Sequence, residues 1–253
     1  DVHGGPKNPL RSRSPKKCFT VKMFHVKQVH VKRRKELPMS LTEQYIEKYK
    51  VWLDSILSDC GETVEHTEQT LCGVNVEVES HDYMRADLSA HGQLSCITFT
   101  KGELSYACQC CDDPTGFFPL LLAGKWYICF RRSLYGFVLL DCETLSPEYE
   151  YFPEGVLHDQ ESFIVCSARQ IEDLVVFGGC YWACPDECFV FDCETKRFLR
   201  LSKLYPGFAL DREEVREKTL ILHGEDQDGE KQQISLSKEE LLAALEIHGA
   251  EDF

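Results

Sequence analysis

The clearest hydrophobic pattern in the chain predicts a helix over residues 40–58. Apolar side chains recur there three and four positions apart and form a single stripe. The stripe consists of Leu41, Tyr45, Ile46, Tyr49, Trp52, Leu53, Ile56 and Leu57. Ser40 and Glu43 have the spacing of a capping box, and Gly61 follows soon after the predicted end. One continuous stripe favours a helix that packs on the rest of the protein over one that binds a partner.

Over residues 74–236 the pattern changes to short apolar or alternating runs separated by turn residues, which is typical of strands. The predicted strands cover residues 74–79, 95–100, 104–108, 125–131, 136–141, 148–152, 162–167, 173–178, 188–193, 197–201, 218–223 and 231–236. Lys101-Gly102 and the acidic run 225–229 predict hairpin turns. Ser237 and Glu240 predict a capping box at the start of a final helix over residues 238–248.

One strand-turn-strand unit occurs twice, as VLLDCET over residues 138–144 and FVFDCET over residues 189–195. Repetition of such a unit at this period is typical of propeller blades. We interpret the two Asp-x-Glu-Thr runs as turns in which Asp and Thr oxygens bind backbone amides, not as catalytic carboxylates. The predicted fold is mainly β, antiparallel and propeller-like, with a helix at each end. A β-sandwich or barrel is the alternative.

Charge divides the chain into a basic segment, residues 1–38, and an acidic body, and the net charge of the whole is -14. An acidic body argues against a nucleic-acid partner, because phosphate binding needs clustered Lys and Arg. No apolar run reaches the length that spans a bilayer, and the first residues lack the apolar core of a secretory signal. We therefore predict neither a nucleic-acid nor a membrane partner.

The basic segment has two interpretations. Residues 23–28 can be back-translated into a string that resembles the palindromic site bound by bacterial chromosome-partition proteins, and Lys35-Glu36 into a ribosome-binding site before Met39. The favoured hypothesis is a translated upstream region in a bacterium, with initiation at Met39 and one β-rich domain over residues 39–253. The alternative is a disordered basic tail. The genomic sequence upstream of Met39 distinguishes the two.

Cysteine usage predicts a reducing cytoplasm. Many of the 14 cysteines lie inside apolar runs, where a reduced thiol packs as a small hydrophobe. Cys180, Cys184 and Cys188 are weak zinc candidates, since their spacing lacks the paired C-x2-C knuckles of structural zinc sites. If a turn enters a strand here, we expect Cys180 and Cys188 to diverge. Redox catalysis at Cys184 is disfavoured, because its acidic neighbours do not lower a thiol pKa.

Several segments between residues 120 and 200 carry a family resemblance. They are residues 133–137, 141–144, 149–154, 161–163 and 179–185, the last with the sequence GCYWACP. Together they resemble a family of bacterial and microbial proteins that has a GCYWACP-type motif, propeller-like β repeats and no known activity. The resemblance implies a propeller-like fold and no particular chemistry. Members often carry Tyr after the Pro, where this chain has Asp186.

The turn over residues 179–185 is the predicted rim of any binding site. Gly178 and Gly179 allow backbone angles closed to other residues, and Pro185 holds the preceding residue extended. The candidate ligand- or partner-binding residues are Tyr181, Trp182, Asp186, Glu187, Arg131, Arg132 and Tyr135. Two alternatives stay open: the two aromatic residues of the turn plug the β core, and the arginines form ion pairs with the acidic body. The ion pairs are favoured for the arginines.

Two function classes are consistent with the sequence, which contains no phosphate-binding loop and no nucleophile motif. The favoured class is a non-enzymatic cytoplasmic module that binds a protein or a small ligand, without a cofactor. The alternative is a cysteine-rich zinc protein or an enzyme that uses residues 180–188. Metal analysis of the purified protein and of a Cys184→Ser variant distinguishes the two classes.

Overall fold

The computed structural model describes residues 41–84, 91–111, 116–132, 136–151, 163–181 and 186–249. Contacts between Cα atoms divide the chain into two units, Asp1–Pro38 and Met39–Phe253, and every described residue belongs to the second. Several predictions fall outside the described residues: those on the basic segment and on Ser40, Tyr135, Trp182 and Cys184, and on the side chain of Tyr181.

The described part of the chain contains two α-helices and three antiparallel sheets. Helix α1 (Leu41–Leu57) precedes sheet A, which consists of β1 (Cys60–Leu71), β2 (Val74–Met84), β3 (His91–Lys101) and β4 (Leu104–Cys111). Sheet B consists of β5 (Phe117–Leu122), β6 (Lys125–Phe130), β7 (Phe137–Asp141) and β8 (Pro147–Tyr151). Sheet C begins with β9 (Phe163–Ile171), β10 (Leu174–Tyr181), β11 (Asp186–Asp192) and β12 (Arg197–Arg200). After a 3-10 turn (Leu201–Lys203), sheet C continues with β13 (Ala209–Arg216), β14 (Thr219–Glu225) and β15 (Lys231–Ser237), and α2 (Lys238–His248) follows.

The sheets stack face to face in chain order, as the blades of a propeller do. Inward residues of sheets A and B share one core, which includes Phe99 and Phe130. Sheets B and C share a second core, in which the rings of Phe137 and Phe177 lie 4.3 Å apart. The far face of β9–β12 packs against α2 and against β14 and β15 of the same sheet, so sheet C folds over on itself. The predicted mainly β, antiparallel, propeller-like fold with a helix at each end is confirmed.

Helix α1 packs on the face of sheet A that points away from sheet B. Its buried residues Leu53 and Ile56 contact Tyr83 and Leu94 of the sheet. The hydroxyl of Tyr49 accepts a hydrogen bond of 2.9 Å from the backbone N–H of Cys111 and so fastens the helix to β4. The predicted packing of this helix on the body is confirmed, although Trp52 and Leu57 of the stripe remain partly exposed.

Three strands, β1, β5 and β13, are not predicted from the sequence, for two physical reasons. Nearly every residue of β1 is exposed, and β13 is only half-buried, so neither shows the alternation that a half-covered sheet produces. Strand β5 contains Pro119, which argues against a central strand. It is tolerated because β5 lies at the edge of sheet B. No helix of the described segments has the length and apolar character needed to cross a membrane.

Candidate functional site

A cleft of about 350 Å³ lies between sheets B and C, at the edge where their hairpin turns lie. Its floor is the end of the core shared by these sheets, where Leu122, Tyr127 and Leu139 are buried. Ligand sites are typically concave, mostly apolar and furnished with a few convergent polar groups. This cleft therefore has the general character of a small-ligand site.

Side-chain hydrogen bonds join sheets B and C next to the cleft. The amide of Gln170 on β9 bonds to both the N–H and the C=O of Leu121 on the edge strand β5. Asp173 accepts a hydrogen bond of 2.8 Å from the backbone N–H of Ala123. Both side chains come from the β9–β10 hairpin of sheet C, and both bind backbone groups of β5 or of the turn that follows it. They also satisfy backbone groups that an edge strand leaves unpaired.

The aromatic side of the cleft carries a cation. The ammonium of Lys196 lies 5.0 Å from the ring centroid of Tyr149 and 5.9 Å from that of Phe191. The two rings are themselves 4.7 Å apart. A lysine over an aromatic face is attracted by the negative charge density of the ring. Lys196 and Tyr149 therefore bring a positive charge and an aromatic ring together at the cleft.

Two other polar groups of the cleft stay uncharged. The hydroxyl of Tyr127 donates a hydrogen bond to the carboxylate of Glu148. Burial, together with this hydrogen bond, raises the pKa of Tyr127 far above its ordinary value. Burial also raises the pKa of the Cys193 thiol to about 12, so it is not a reactive thiolate.

The repeated Asp-x-Glu-Thr run builds two matching turns, and the second delivers residues to the cleft. Asp141 Oδ1 accepts hydrogen bonds from the backbone N–H of Glu143 and Thr144, at 2.6 and 3.0 Å. Asp192 accepts from the N–H of Glu194 at 3.0 Å and from the hydroxyl of Thr195 at 2.6 Å. The interpretation of these aspartates as turn-forming residues is confirmed. The second turn places Cys193, Glu194 and Lys196 at the cleft.

Of the predicted binding residues, Glu187 is buried and Asp186 is exposed. The Glu187 carboxylate accepts hydrogen bonds from Arg200 Nε at 3.0 Å and from the backbone N–H of Cys188 and Ser202, at 3.0 and 3.2 Å. These contacts fasten β12 and the 3-10 turn to β11. They give Glu187 a stabilising role, and its place in a binding site stays a prediction.

Arg131 and Arg132 follow β6 at the end opposite Lys125, which borders the cleft. Arg131 is buried, and the guanidinium of Arg132 pairs with the largely buried carboxylate of Glu150. Although burial opposes the charged form, Glu150 raises the pKa of Arg132. The ion-pair alternative is therefore confirmed for Arg132.

The β10–β11 ladder corrects the expected positions of the cysteines. Cys180 pairs with Asp186, and Cys188 pairs with Gly178. The two cysteines thus share one face of the ladder and lie on diagonally neighbouring rungs, which is about 7–8 Å for Cα atoms. Within the described segments, no group of three metal donors includes either residue. A zinc site that also uses Cys184 stays a prediction.

Gly178 and Gly179 do not adopt the unusual backbone angles that the sequence predicts for them. Neither has a positive φ. Both lie where another element approaches β10 too closely for a side chain: an added Cβ would overlap the Glu213 carboxylate at Gly178 and the carbonyl oxygen of Ile164 at Gly179. Close approach, and not an unusual backbone angle, explains the glycine pair.

The residues that line the cleft are not predicted from the sequence, although one sequence feature, the DCET repeat, lies next to several of them. The DCET repeat marks the turn that carries Cys193 and Lys196. Lys125 and Tyr149, in contrast, belong to strands and turns of sheet B, and nothing in their local sequence shows which sheet stacks against them. A cleft between two sheets depends on that stacking.

No family model and no curated protein matches the chain. Among solved structures, the chain is similar to one described as "Crystal structure of HIRA(644-1017)", with 8% sequence identity and a TM-score of 0.35. The similarity covers 73% of this chain, which spans 56% of that solved chain. The resemblance to the GCYWACP-type family stays a prediction.

Proposed function

We propose that the protein is a non-enzymatic binding module that takes a small organic ligand into the cleft between sheets B and C. One observation carries the proposal: Lys196 and Tyr149 place a cation on an aromatic surface beside a concave apolar floor. The two sheets that form the cleft are joined by side-chain bonds to the edge strand, so little ordering energy is needed on binding.

The cleft is lined by three carboxylates, Glu148, Asp173 and Glu194, and by two lysines, Lys125 and Lys196, and an aromatic ligand with one acidic group fits the two lysines. The carboxylate of Glu148 is engaged by the Tyr127 hydroxyl, and that of Asp173 by the backbone N–H of Ala123. Within the described part of the chain, Lys125 and Lys196 form no ion pair with a carboxylate. Their ammonium groups therefore remain available to a carboxylate, sulfonate or phosphate group on the ligand.

We further propose that the protein works in a reducing cytoplasm. The support is the state of its cysteines: all those in the described segments are free, and several are buried in the sheet cores. Thiols packed in this way act as small apolar side chains and need no oxidising compartment.

A fluorescence titration with anilinonaphthalene sulfonate, a dye with an aromatic body and one acidic group, tests the ligand site. The wild-type chain should bind the dye, and Lys196→Gln and Tyr149→Ala should each weaken binding by about tenfold. Lys203→Gln is the matched control, because Lys203 is an exposed lysine of the 3-10 turn outside the cleft. Thermal melts monitored by circular dichroism show which variants remain folded. Equal dye affinity in folded Lys196→Gln, Tyr149→Ala and wild-type protein would refute the proposal.

A further inference from the structure

The outer side of sheet A carries a group of metal donors formed by His66, Glu77 and Glu79. Glu77 and Glu79 are alternate residues of β2, so both point away from the core that Val76 and Val78 enter on the other face. His66 on β1 pairs directly with Glu79. The pleat of one strand and the register of the next therefore bring one imidazole and two carboxylates to one face.

The donor atoms of this group lie slightly farther apart than the ligands of a bound ion. His66 Nε2 lies 3.6 Å from Glu77 Oε1, and His66 Nδ1 lies 3.9 Å from Glu79 Oε1. Both separations are longer than an N–H···O hydrogen bond, so the ring is not committed to either carboxylate. One donor atom from each of the three residues lies within 4.8 Å of the others. Ligands about 2.1 Å from a tetrahedral ion are about 3.4 Å apart, so a small movement of exposed side chains closes the site.

A fourth donor lies on the next strand. Cys96 of β3 pairs directly with Glu79, and this places His66, Glu79 and Cys96 in one row across three strands. Side chains in directly opposed positions have Cβ atoms about 4.5–5.5 Å apart. The Cys96 thiol is half-buried. Its sulfur is not among the donor atoms that lie within 4.8 Å of one another, so the Cys96 side chain has to turn toward them to complete a four-ligand set.

We propose that His66, Glu77, Glu79 and Cys96 bind a divalent transition-metal ion of the zinc class. Imidazole and thiolate select such ions, whereas calcium and magnesium prefer sites made of oxygen alone. The bound ion would also link the edge strand to the body of the protein. Strand β1 is exposed along most of its length, and among the described strands it pairs with β2 alone, so ligands on β1, β2 and β3 would tie it to the sheet.

Isothermal titration of the chelator-treated full chain with zinc chloride tests the site. The wild-type protein should bind one equivalent, and His66→Ala and Glu77→Gln should each weaken binding by about tenfold or more. His81→Ala is the matched control, because His81 is a histidine of β2 on the same face but outside the donor group. Zinc should raise the melting temperature of the wild type and of His81→Ala, and not that of His66→Ala.

Unchanged zinc affinity in His66→Ala would overturn the proposal. If Cys180→Ser then lost zinc binding, the ion would be assigned to the cysteine-rich turn. Cobalt tests the fourth ligand: a thiolate-to-cobalt absorption band that disappears in Cys96→Ser supports Cys96, and a spectrum that does not change in this variant removes Cys96 from the site. All four side chains are exposed or half-buried, so these variants should fold.

Discussion

Gly178 and Gly179 are single residues whose identity is set by the space around β10. The pairing of β9 with β10 is irregular between these two glycines, and there the carbonyl of Ile164 approaches Gly179. At Gly178, the carboxylate of Glu213 on β13 fills the space that a side chain would need. The same carboxylate accepts a hydrogen bond of 2.7 Å from the hydroxyl of Ser167 on β9. Each glycine therefore permits a contact that holds β9 or β13 against β10.

Gly179→Ala should destabilise the fold by about 1–3 kcal/mol, because the added methyl group meets a backbone carbonyl that cannot rotate away. Urea unfolding measures the change. Gly61→Ala is the control: Gly61 also lies in a strand, and its added Cβ would have its nearest neighbour, the carbonyl oxygen of Asp82, at 3.5 Å. That variant should keep its stability within about 0.5 kcal/mol. Equal losses in both variants would contradict the close-approach argument.

At the scale of elements, the DCET repeat produces the same turn twice. In each copy the Asp carbonyl accepts a hydrogen bond of 2.9 Å from the residue four positions later, Leu145 or Lys196. These two residues have positive φ values of 49° and 59°. The left-handed backbone costs energy in a residue other than glycine, and the Asp carboxylate offsets that cost by satisfying the N–H groups of the turn.

Asp141→Ala and Asp192→Ala should each lower stability by about 1–2 kcal/mol, since each removes two hydrogen bonds from a turn whose Asp is buried. Chemical unfolding with matched Glu143→Ala and Glu194→Ala variants measures this. The two glutamates occupy the same turns but are exposed, so their loss should cost less than about 0.5 kcal/mol. A larger loss of stability in the glutamate variants than in the aspartate variants would show that the glutamates, and not the aspartates, stabilise the turns.

At the scale of the whole molecule, Glu172 connects three elements that are distant in sequence. It lies in the β9–β10 turn and pairs with Lys218, in the β13–β14 turn, and with Lys238, at the start of α2. These hydrogen bonds, first that of Lys218, lower the pKa of Glu172 from 4.5 to about 2. The β13–β14 hairpin and helix α2 are thus tied to the β9–β10 hairpin by charge as well as by the apolar core that they share.

This ion-pair group should make stability depend on pH. Because the folded-state pKa lies below the unfolded one, the pairs stabilise the fold above about pH 4.5, and this contribution is lost as the pH falls toward about 2. Between these pH values the wild type should lose stability more steeply than Glu172→Gln, and added salt should reduce the difference. Glu143→Gln, an exposed carboxylate of another turn, should follow the wild type. If the stability of the wild type and of Glu172→Gln fell in parallel with pH, the pH dependence would not come from Glu172.

The sequence by itself determined the features that depend on neighbouring residues. The capping box of α2, with Ser237 and Glu240 bonded reciprocally, was predicted from four consecutive residues. The hairpins at Lys101–Gly102 and at residues 225–229 and the two DCET turns were predicted in the same way. Propensity, alternation and turn chemistry act over a few residues, so a local pattern records them.

Only the tertiary structure decided the features that depend on which sheets meet. Strand β1 has no core face, and Pro119 of β5 is acceptable only because that strand lies at an edge. The cleft beside Lys196 exists because sheet B stacks on sheet C, and the donor group around His66 exists because of the register of β1 on β2. Stacking and register are set by burial summed over many distant residues, and no short stretch of sequence carries that sum.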